Sequence, residues 1–350
     1  SKDFSDRELD VLVTSGEQVT ASLLAGALNK LGIKSRSLMS WQIPILTEGK
    51  HNNSRIINMS TDKINEYLNN GEIVIIPGFQ GISKIGDLTS IGRGGSDATA
   101  VAVAKLLNTD SCEIYTDVDG VYSSDPNKIP VAKKIDKISY DEMLEMSSLG
   151  AKVLQTRSVE LAMKNNINLQ VLSSIVNSKG TLIVNDNKLV EKEIVSGISH
   201  SKNESKISIS GVPDKPGISA KIFGILSKSN INVDMIVQNI SQDGIYANLT
   251  FTVPSGETKK AHELLDKNRK DINYKSISTA SNLAKVSVVG MGMKSQSGVA
   301  QKMFQTLADE QINILAISTS EIKISVLIDK KHVDLAIKSL HKAYNLGKSL

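Results

Sequence analysis

The sequence predicts an α/β layer with a mainly parallel sheet in its first half, followed by two small α+β modules. In the first half, apolar strand-like runs alternate with helix-like stretches, which is typical of a parallel sheet covered by helices. In the second half a strand–loop–helix–strand pattern occurs twice, because Gly217 precedes Phe223 by the same six positions that separate Gly298 from Phe304. Such a match in residue type and spacing indicates two copies of one module.

The composition of the 350 residues excludes several classes of protein. A net charge of +4 without long basic blocks is too weak for a nucleic-acid-binding surface. The single cysteine, Cys112, excludes a disulfide framework and a thiolate metal cluster, and it predicts a reducing compartment, the cytoplasm. No apolar run approaches the ~18 residues of a membrane span, and the polar opening SKDFSDRELD is unlike a signal peptide.

The first half divides into strands and helices that follow one another along the chain. The predicted strands are 11–15 (VLVTS), 72–78 (EIVIIPG), 112–117 (CEIYTD) and 168–174 (NLQVLSS), and the predicted helices are 21–32, 97–108 and one long stretch over 139–165. Parallel sheets bind ligands at the carboxyl ends of their strands. The loops that follow these strands are therefore the candidate sites.

The second half is predicted to contain one module nested in the other. The first copy reads βαββαβ, whereas the second lacks its last strand, and the segment EIVSGISH at 193–200 is expected to supply that strand. The predicted boundaries are therefore a first domain at 1–175, a linker at 176–192, a first module at 201–280 and a second module at 193–200 plus 281–350.

A glycine-rich loop runs from GFQG at Gly78 to GRGGSD and into a helix. Glycine amides and a helix N-terminus attract an anion, and Arg93 can bind a carboxylate or phosphate through two hydrogen bonds. The alternative is an ordinary glycine turn in which Ser96 or Asp97 caps the helix.

Three further segments carry candidate groups, each with a plain alternative. CEIYTDVDGVYSSDPNK places Asp117, Asp119 and Asp125 after a strand, which suits a Mg²⁺–nucleotide site but is also ordinary turn chemistry. Glu17, just past the predicted strand at 11–15, could hold an ammonium group or be an exposed helical residue. Lys152 could neutralise a phosphoryl group or be solvated. The histidines show no metal spacing, and no metal site made by the protein alone is predicted.

Taken together these motifs resemble those of aspartate kinases. The residues that carry the resemblance are GRGGSD-x-TA, EIYTDVDGVY-x-x-DP, GAKVL and the module segments DKPG, N-x-D-M-x-x-QN-x-S and STSEI-x-ISVLI. The resemblance implies a partial amino-acid kinase domain of three layers followed by two ACT modules. It implies ATP- and Mg²⁺-dependent phosphorylation of the β-carboxylate of L-aspartate to 4-phospho-L-aspartate, the first step of lysine, threonine and methionine biosynthesis. It also implies feedback by lysine, threonine or both, and a homo-oligomer formed through the ACT modules.

The resemblance assigns roles to individual residues. L-aspartate is bound by Glu17, Phe79, Arg93, Gly94, Gly95 and Ser96. ATP is bound by Thr116, Asp117, Tyr122, Asp125 and Lys152. Catalysis is assigned to Lys152 and Asp97. The effector is bound by Asp214, Gly217, Ile218, Asn232, Asp234, Gln238, Asn239, Ser318 and Thr319.

The sequence departs from the family pattern in two places. It lacks the K-[FY]-GG-[TS]-S loop with which aspartate kinases begin, and it has Asn127 where the family often has Arg after Asp-Pro, so that neighbouring Lys128 is a substitute candidate. We expect the 350-residue polypeptide by itself to have negligible kinase activity and the complete gene product to have it. The alternative is a non-catalytic regulatory protein that binds amino acids.

Overall fold

The chain forms two compact units. The computed structural model describes residues 4–148, 153–185, 194–241 and 244–347, apart from the side chains at 294 and 295. Of these residues, the first unit takes 4–121, 136–147 and 153–185, and the second takes 122–135, 148, 194–241 and 244–347.

The first unit alternates helices with short strands. Its elements are α1 (Asp6–Lys30), β1 (Ser35–Ser37), β2 (Ile45–Thr47), β3 (Ile56–Met59), α2 (Asp62–Asn69), β4 (Ile73–Ile75), β5 (Gln80–Ile82), β6 (Leu88–Ser90), α3 (Gly95–Leu106), β7 (Ser111–Thr116), β8 (Lys137–Ser139), α4 (Tyr140–Ser148), α5 (Thr156–Asn165), β9 (Asn168–Ser173) and β10 (Thr181–Val184).

The strands of the first unit pair in both directions, with parallel pairs in the majority. Strands β1 and β4 are parallel. A second sheet has the order β3-β2-β5-β6 with a parallel β2–β5 pair, and a third has the order β7-β9-β10-β8 with parallel β7–β9 and β8–β10 pairs. The predicted α/β class with a mainly parallel sheet is confirmed.

Two element predictions in the first unit were wrong. Residues 11–15 are not a strand but part of helix α1, whose N-cap Ser5 accepts a hydrogen bond from the amide of Glu8. The buried positions of α1 include Asp10 and Thr14, so polar residues occupy the face that apolar residues usually mark. The stretch 139–165 contains two helices, α4 and α5, rather than one.

Helix α1 is also apolar enough to be considered as a membrane span. By length and composition it could cross a membrane, contrary to the expectation from the sequence, and only 17% of its most apolar stretch is buried. One such helix is weak support for a membrane protein, because buried core helices and signal sequences can be equally long and apolar. The carboxylate of Asp10 is fully buried and binds the ring of His51 at 2.7 Å and the amide of Asn52 at 3.1 Å. These bonds tie α1 to the rest of the first unit.

The second unit is an antiparallel sheet with helices. Its elements are β11 (Gly197–Pro213), α6 (Ile218–Lys228), β12 (Asp234–Ile240), β13 (Tyr246–Pro254), α7 (Thr258–Lys267), α8 (Arg269–Ile272), β14 (Ser276–Val289), α9 (Val299–Asp309), β15 (Ala316–Thr319), β16 (Lys323–Asp329) and α10 (Val333–Ala343).

The two repeats share their two longest strands. The sheet order is β12-β13-β11-β14-β16-β15, and β11 pairs with β14 along almost its whole length. The first part of β11 pairs with the second repeat, from Gly197 opposite Val289 to Ser201 opposite Lys285. The rest of β11 pairs with β13 of the first repeat. This pairing is the one expected of a nested module, while the domain boundaries themselves stay a prediction.

Each repeat buries its own apolar core beneath its helices. In the first repeat Phe251 is fully buried and meets the ring of Phe223 edge to face, with ring centroids 5.4 Å apart. In the second repeat Val286, Val326 and Leu340 are among the fully buried side chains. The α+β character predicted for the two modules is confirmed.

A partly buried histidine in β11 makes the stability of the second unit depend on pH. Burial, together with the charges of Lys128 and Lys202, lowers the pKa of His200 to about 4. Between this value and its ordinary pKa of about 6.5, the unfolded chain binds a proton that the folded His200 does not. Stability should therefore be lost as the pH falls from about 6.5 towards 4. His200→Gln should flatten this loss in urea unfolding followed by circular dichroism, and an unchanged pH dependence would contradict the assignment.

Candidate active site and regulatory site

The glycine-rich loop and the GFQG loop of the first unit pack directly on each other. A Cβ on Gly78 would lie 2.9 Å from the Cα of Ser96, and a Cβ on Gly95 would lie 3.0 Å from Cδ2 of Phe79. Phe79 itself has a left-handed backbone, with φ of 68°, which costs energy outside glycine. Small residues and one strained residue thus place the start of α3 against the loop after β4.

The N-terminus of α3 presents free amide groups beside an arginine. Gly94, the N-cap with φ of 73°, has no side chain that could satisfy the first amides of the helix. The amide of Gly95 donates to the carbonyl of Gly92 at 2.9 Å, which leaves the amides of Ser96 and Asp97 without a hydrogen-bond acceptor among the described residues. The exposed side chain of Arg93 makes no hydrogen bond or ion pair within the part of the chain that the structure describes. Unsatisfied amides, the helix dipole and a guanidinium favour a bound carboxylate.

A cavity of about 460 Å³ opens beside this helix N-terminus. It brings together two of the residues predicted to bind substrate, Glu17 of α1 and Ser96 of α3. Its lining is formed by Glu17, Val74, Ile76, Gly78, Ser96, Thr99, Ala100, Val103, Ala104, Ser111 and Cys112. A carboxylate and a hydroxyl on an otherwise mostly apolar lining can orient a small polar molecule.

Glu17 reaches the cavity from helix α1 and not from the loop after a strand, so its predicted position was wrong, while its role in binding substrate stays a prediction. A buried amide holds α1 in place. Gln80 is fully buried; its Nε2 donates to the carbonyl of Thr14 at 3.3 Å, and its Oε1 accepts from Nε2 of Gln18 at 2.9 Å. The GFQG motif therefore contributes Gln80 to the site as well as Phe79.

Three residues that the sequence did not single out hold the glycine-rich loop. Arg157 of α5 donates to the carbonyl of Ile91 at 2.5 Å and to that of Ser54 at 2.9 Å, and burial lowers its pKa. Thr99 donates to the carbonyl of Gly95 at 2.7 Å. Gln155 packs its side chain against Gly94. Nothing in the sequence marks Arg157 or Gln155, because the groups that they contact lie far away along the chain, whereas the hydroxyl of Thr99 binds the carbonyl one helical turn before it.

Burial shapes the electrostatics next to the cavity. It raises the pKa of Asp97, the catalytic candidate in the first turn of α3. Burial, with the charges of Asp97 and Glu113, raises the pKa of the Cys112 thiol to about 11. The thiol that lines the cavity is therefore neutral at physiological pH and is not an activated nucleophile.

The predicted nucleotide residues are divided between the two units. In the first unit the hydroxyl of Thr116 donates to Oδ1 of the exposed Asp117 at 3.2 Å. Tyr122 and Asp125 belong to the second unit, where Oδ1 of Asp125 accepts from the amide of Asn127 at 3.0 Å, as in an ordinary turn. Lys152, predicted to bind ATP and to act in catalysis, lies outside the described residues.

Within the described ranges no cluster of three His, Cys, Asp or Glu side chains could hold a metal ion. A nucleotide-bound Mg²⁺ takes most of its ligands from phosphates and water and needs only one or two carboxylates from the protein. The exposed carboxylate of Asp117 could supply one of them.

Several predicted effector residues meet around the start of α6 in the second unit. Gly217 is the N-cap of α6 with φ of 89°, Ile218 begins the helix, and Asp214 is exposed in the preceding loop. Gln238 of β12 accepts a hydrogen bond from Ser219 of α6 at 3.2 Å. The helix start and the strand therefore face each other, as an amino-acid site between them requires.

Other predicted effector residues lie where the repeats meet. The carboxylate of Asp234 in β12 forms an ion pair with the buried ammonium of Lys285 in β14, and Glu204 lies 3.9 Å from the same ammonium. Asp234 is thus engaged within the protein, which its predicted role did not anticipate. Met235 packs with Ala316 of β15. Strands β12 and β15 are in contact, so Asn232, Gln238 and Asn239 share this region with Ser318 and Thr319.

An α/β domain with a glycine-rich loop at a helix N-terminus, joined to two α+β repeats, defines a small-molecule kinase with regulatory modules. Residues 1–173 match the Amino acid kinase family, and residues 206–271 and 286–344 each match an ACT domain.

Comparison with known proteins of similar sequence identifies the family more narrowly. The aspartate kinase of Pseudomonas fluorescens (strain SBW25) is 49% identical over 341 residues, covering 97% of this chain and 82% of that protein. The crystal structure of E. coli aspartokinase III with aspartate and ADP has a TM-score of 0.83 at 26% identity, covering 97% of this chain and 76% of that one. The same enzyme with lysine and aspartate has a TM-score of 0.74, covering 98% and 76%. The chain belongs to the aspartate kinase family.

The packing of Gly94 can be tested with a matched pair of glycines. Gly94→Ala places a Cβ on the side chain of Gln155 at a left-handed backbone position, whereas Gly86→Ala has a similar φ of 87° and open space around it. Both variants should lose about 1 kcal/mol for the backbone, and Gly94→Ala should lose clearly more in urea unfolding. Equal losses would show that the loop can relax around a side chain.

Proposed function

We propose that the chain acts in the transfer of the γ-phosphoryl group of ATP to the β-carboxylate of L-aspartate, giving 4-phospho-L-aspartate and ADP. The observation that carries this proposal is the cavity where Glu17 and Ser96 meet beside the N-terminus of α3. An amino acid with a side-chain carboxylate has one group for each feature of this site, and a TM-score of 0.83 to an aspartokinase complexed with aspartate and ADP supports the same substrate.

The geometry suggests how aspartate is oriented. Its ammonium group binds the carboxylate of Glu17. Its α-carboxylate binds the hydroxyl of Ser96, the backbone amides of Ser96 and Asp97, and the guanidinium of Arg93. The β-carboxylate is left free to react. Phe79, Gly94 and Gly95 shape the loop that carries these groups.

The reaction needs no proton acceptor, because the β-carboxylate is ionised at neutral pH. One of its oxygens forms a bond to the γ-phosphorus while the bond from that phosphorus to the β–γ bridging oxygen breaks, and ADP leaves. Thr116, Asp117, Tyr122, Asp125 and Lys152 are the residues proposed for ATP, and Lys152 and Asp97 those for catalysis. Mg²⁺ would neutralise negative charge on the phosphates. The protein residues named here mainly position the reactants.

We further propose that lysine, threonine or both bind at the ACT repeats, around the start of α6 and strand β12. Lysine has the more specific support, since a structural relative was solved with lysine and aspartate.

The repeats are also the proposed site of homo-oligomerisation. Edge strands β12 and β15 expose Ile236, Ile240 and Ile317, which are 50%, 60% and 41% exposed, and apolar side chains on an edge favour pairing with another copy. The single cysteine supports a cytoplasmic location.

The substrate assignment is tested by removing one charge. Arg93→Ala should weaken aspartate binding by at least about 2 kcal/mol, roughly 30-fold, because a charge-assisted pair with the carboxylate is lost. Isothermal titration calorimetry of the full chain measures it, and KM and kcat follow in the complete gene product by hydroxamate formation. Lys84→Ala, which removes a positive charge from an exposed loop, is the control. Unchanged aspartate affinity in Arg93→Ala would show that the loop is an ordinary turn that caps α3 and does not bind the substrate.

The effector assignment is tested at the loop before α6. Asp214→Ala should abolish the saturable heat of lysine or threonine binding in calorimetry of the full chain, because the carboxylate is the proposed partner of the effector's ammonium group. Asp271→Ala, at an exposed carboxylate of α8, should bind as the unaltered chain does. A folded, unaltered chain that binds neither amino acid would contradict the site.

A further inference from the structure

The chain passes from one unit to the other in the middle of the predicted nucleotide loop. Val121 is held in the first unit, where its amide donates to the hydroxyl of Thr181 at 2.8 Å. Two positions later the carbonyl of Ser123 accepts from the amide of Ile198 at 2.7 Å, in strand β11 of the second unit. Residues 122–135 are built into the second unit before the chain returns to β8.

The buried hydroxyl of Ser123 fixes this passage. It lies 3.0 Å from the carbonyl of Leu346, 3.0 Å from the amide of Lys133 and 3.0 Å from Nε2 of His341. A carbonyl must accept and an amide must donate, so the one hydroxyl proton goes to Leu346. His341 must then donate from Nε2. Ser123 and His341 are 3% and 2% exposed, and burial lowers the pKa of His341, which favours the neutral ring.

The rest of the segment is joined to the same elements. Ala132 forms a β-bridge with Gly347 and is buried in the core beneath α9 and α10. The ammonium group of Lys128 donates to Oδ1 of Asp334 in α10 at 2.7 Å and to Nε2 of His200 in β11 at 3.0 Å. Lys128 is thus engaged by the second unit and not left as a substitute for a phosphate-binding arginine.

We propose that Ser123, acting through His341, and Lys128, acting through Asp334, are positioning residues for the nucleotide. The loop assigned to ATP has its start, Thr116, at the end of β7, and its second half is anchored on α10 and β11 of the second ACT repeat. This inference rests on the proposed function, because that function assigns the loop to ATP.

Positioning of this kind has a specific signature. A loop fixed at both ends loses little entropy when it binds a ligand, so release of one end weakens binding of that ligand. The aspartate site is built from α1, β4, the loop before β5, α3 and the start of β7, all in the first unit. Its affinity should not depend on this anchor. General destabilisation would lower both affinities.

Two adjacent serines allow a matched experiment. Ser123 and Ser124 are 3% and 4% exposed, but within the described residues the hydroxyl of Ser124 has no hydrogen-bond partner. In calorimetry of the full chain, Ser123→Ala should weaken ADP binding about 5-fold or more, because three buried partners lose their bond. Its aspartate affinity should stay within about 2-fold, and Ser124→Ala should change neither.

A second pair of variants, at two lysines, tests the same proposal if Ser123→Ala does not fold. Lys128 and Lys202 both bind Asp334, at 2.7 Å and 3.2 Å, but only Lys128 belongs to the passage. Lys128→Met and Asp334→Ala should each weaken ADP binding about 2- to 5-fold, as expected for a partly exposed ion pair, and the double variant should be no weaker than either. Lys202→Met should bind ADP normally.

The outcomes separate this inference from the proposed function. Unchanged ADP affinity in folded Ser123→Ala and in Lys128→Met, or an equal loss of ADP and aspartate affinity, overturns the positioning role. An unaltered chain that binds aspartate but not ADP overturns the assignment of the loop and this inference with it. A chain that binds neither contradicts the proposed function itself.

Discussion

The first unit depends on the close approach of the loop after β4 to the N-terminus of α3. Gly78 touches the backbone of Ser96, and Gly95 touches Phe79, so that a single methyl group would separate the two loops. Because the loops cannot separate, Ser96 lies beside the cavity and the amides of Ser96 and Asp97 remain open to a carboxylate. Phe79 accepts a left-handed backbone to allow this. The strain lies at the proposed substrate site, where the surrounding contacts from Thr99, Gln155 and Arg157 hold it.

The second unit depends on two long strands that serve both repeats. Since β11 and β14 pair along nearly their whole length, neither repeat can form its sheet without residues that precede or follow the other. Lys285 lies on this shared β14 and pairs with Asp234 of β12. An ion pair buried on one side is costly to break. A structural change in β12, the proposed effector strand, would therefore also alter β14 in the second repeat.

If the loop that begins at Thr116 binds ATP as proposed, its anchoring extends this coupling toward catalysis. Ser123 and Lys128 fasten the loop to β11 and α10, which are elements of the regulatory unit. A rearrangement of those strands and helices would change the ATP affinity by as much as the two states differ in how they hold the loop. Feedback on the kinase then needs no separate device.

Much of this protein was readable from the sequence, because repeats, glycine spacing and strand–helix alternation are local patterns. They determined the α/β class, the two modules, the glycine-rich loop and the candidacy of Glu17, Arg93 and Ser96. Only the tertiary structure decided that residues 11–15 are helical, since α1 buries Asp10 and Thr14 against distant partners. It alone revealed Gln80 and Arg157, and it alone placed Ser123 in the second unit. These roles rest on hydrogen bonds to residues tens to hundreds of positions away, which no local pattern records.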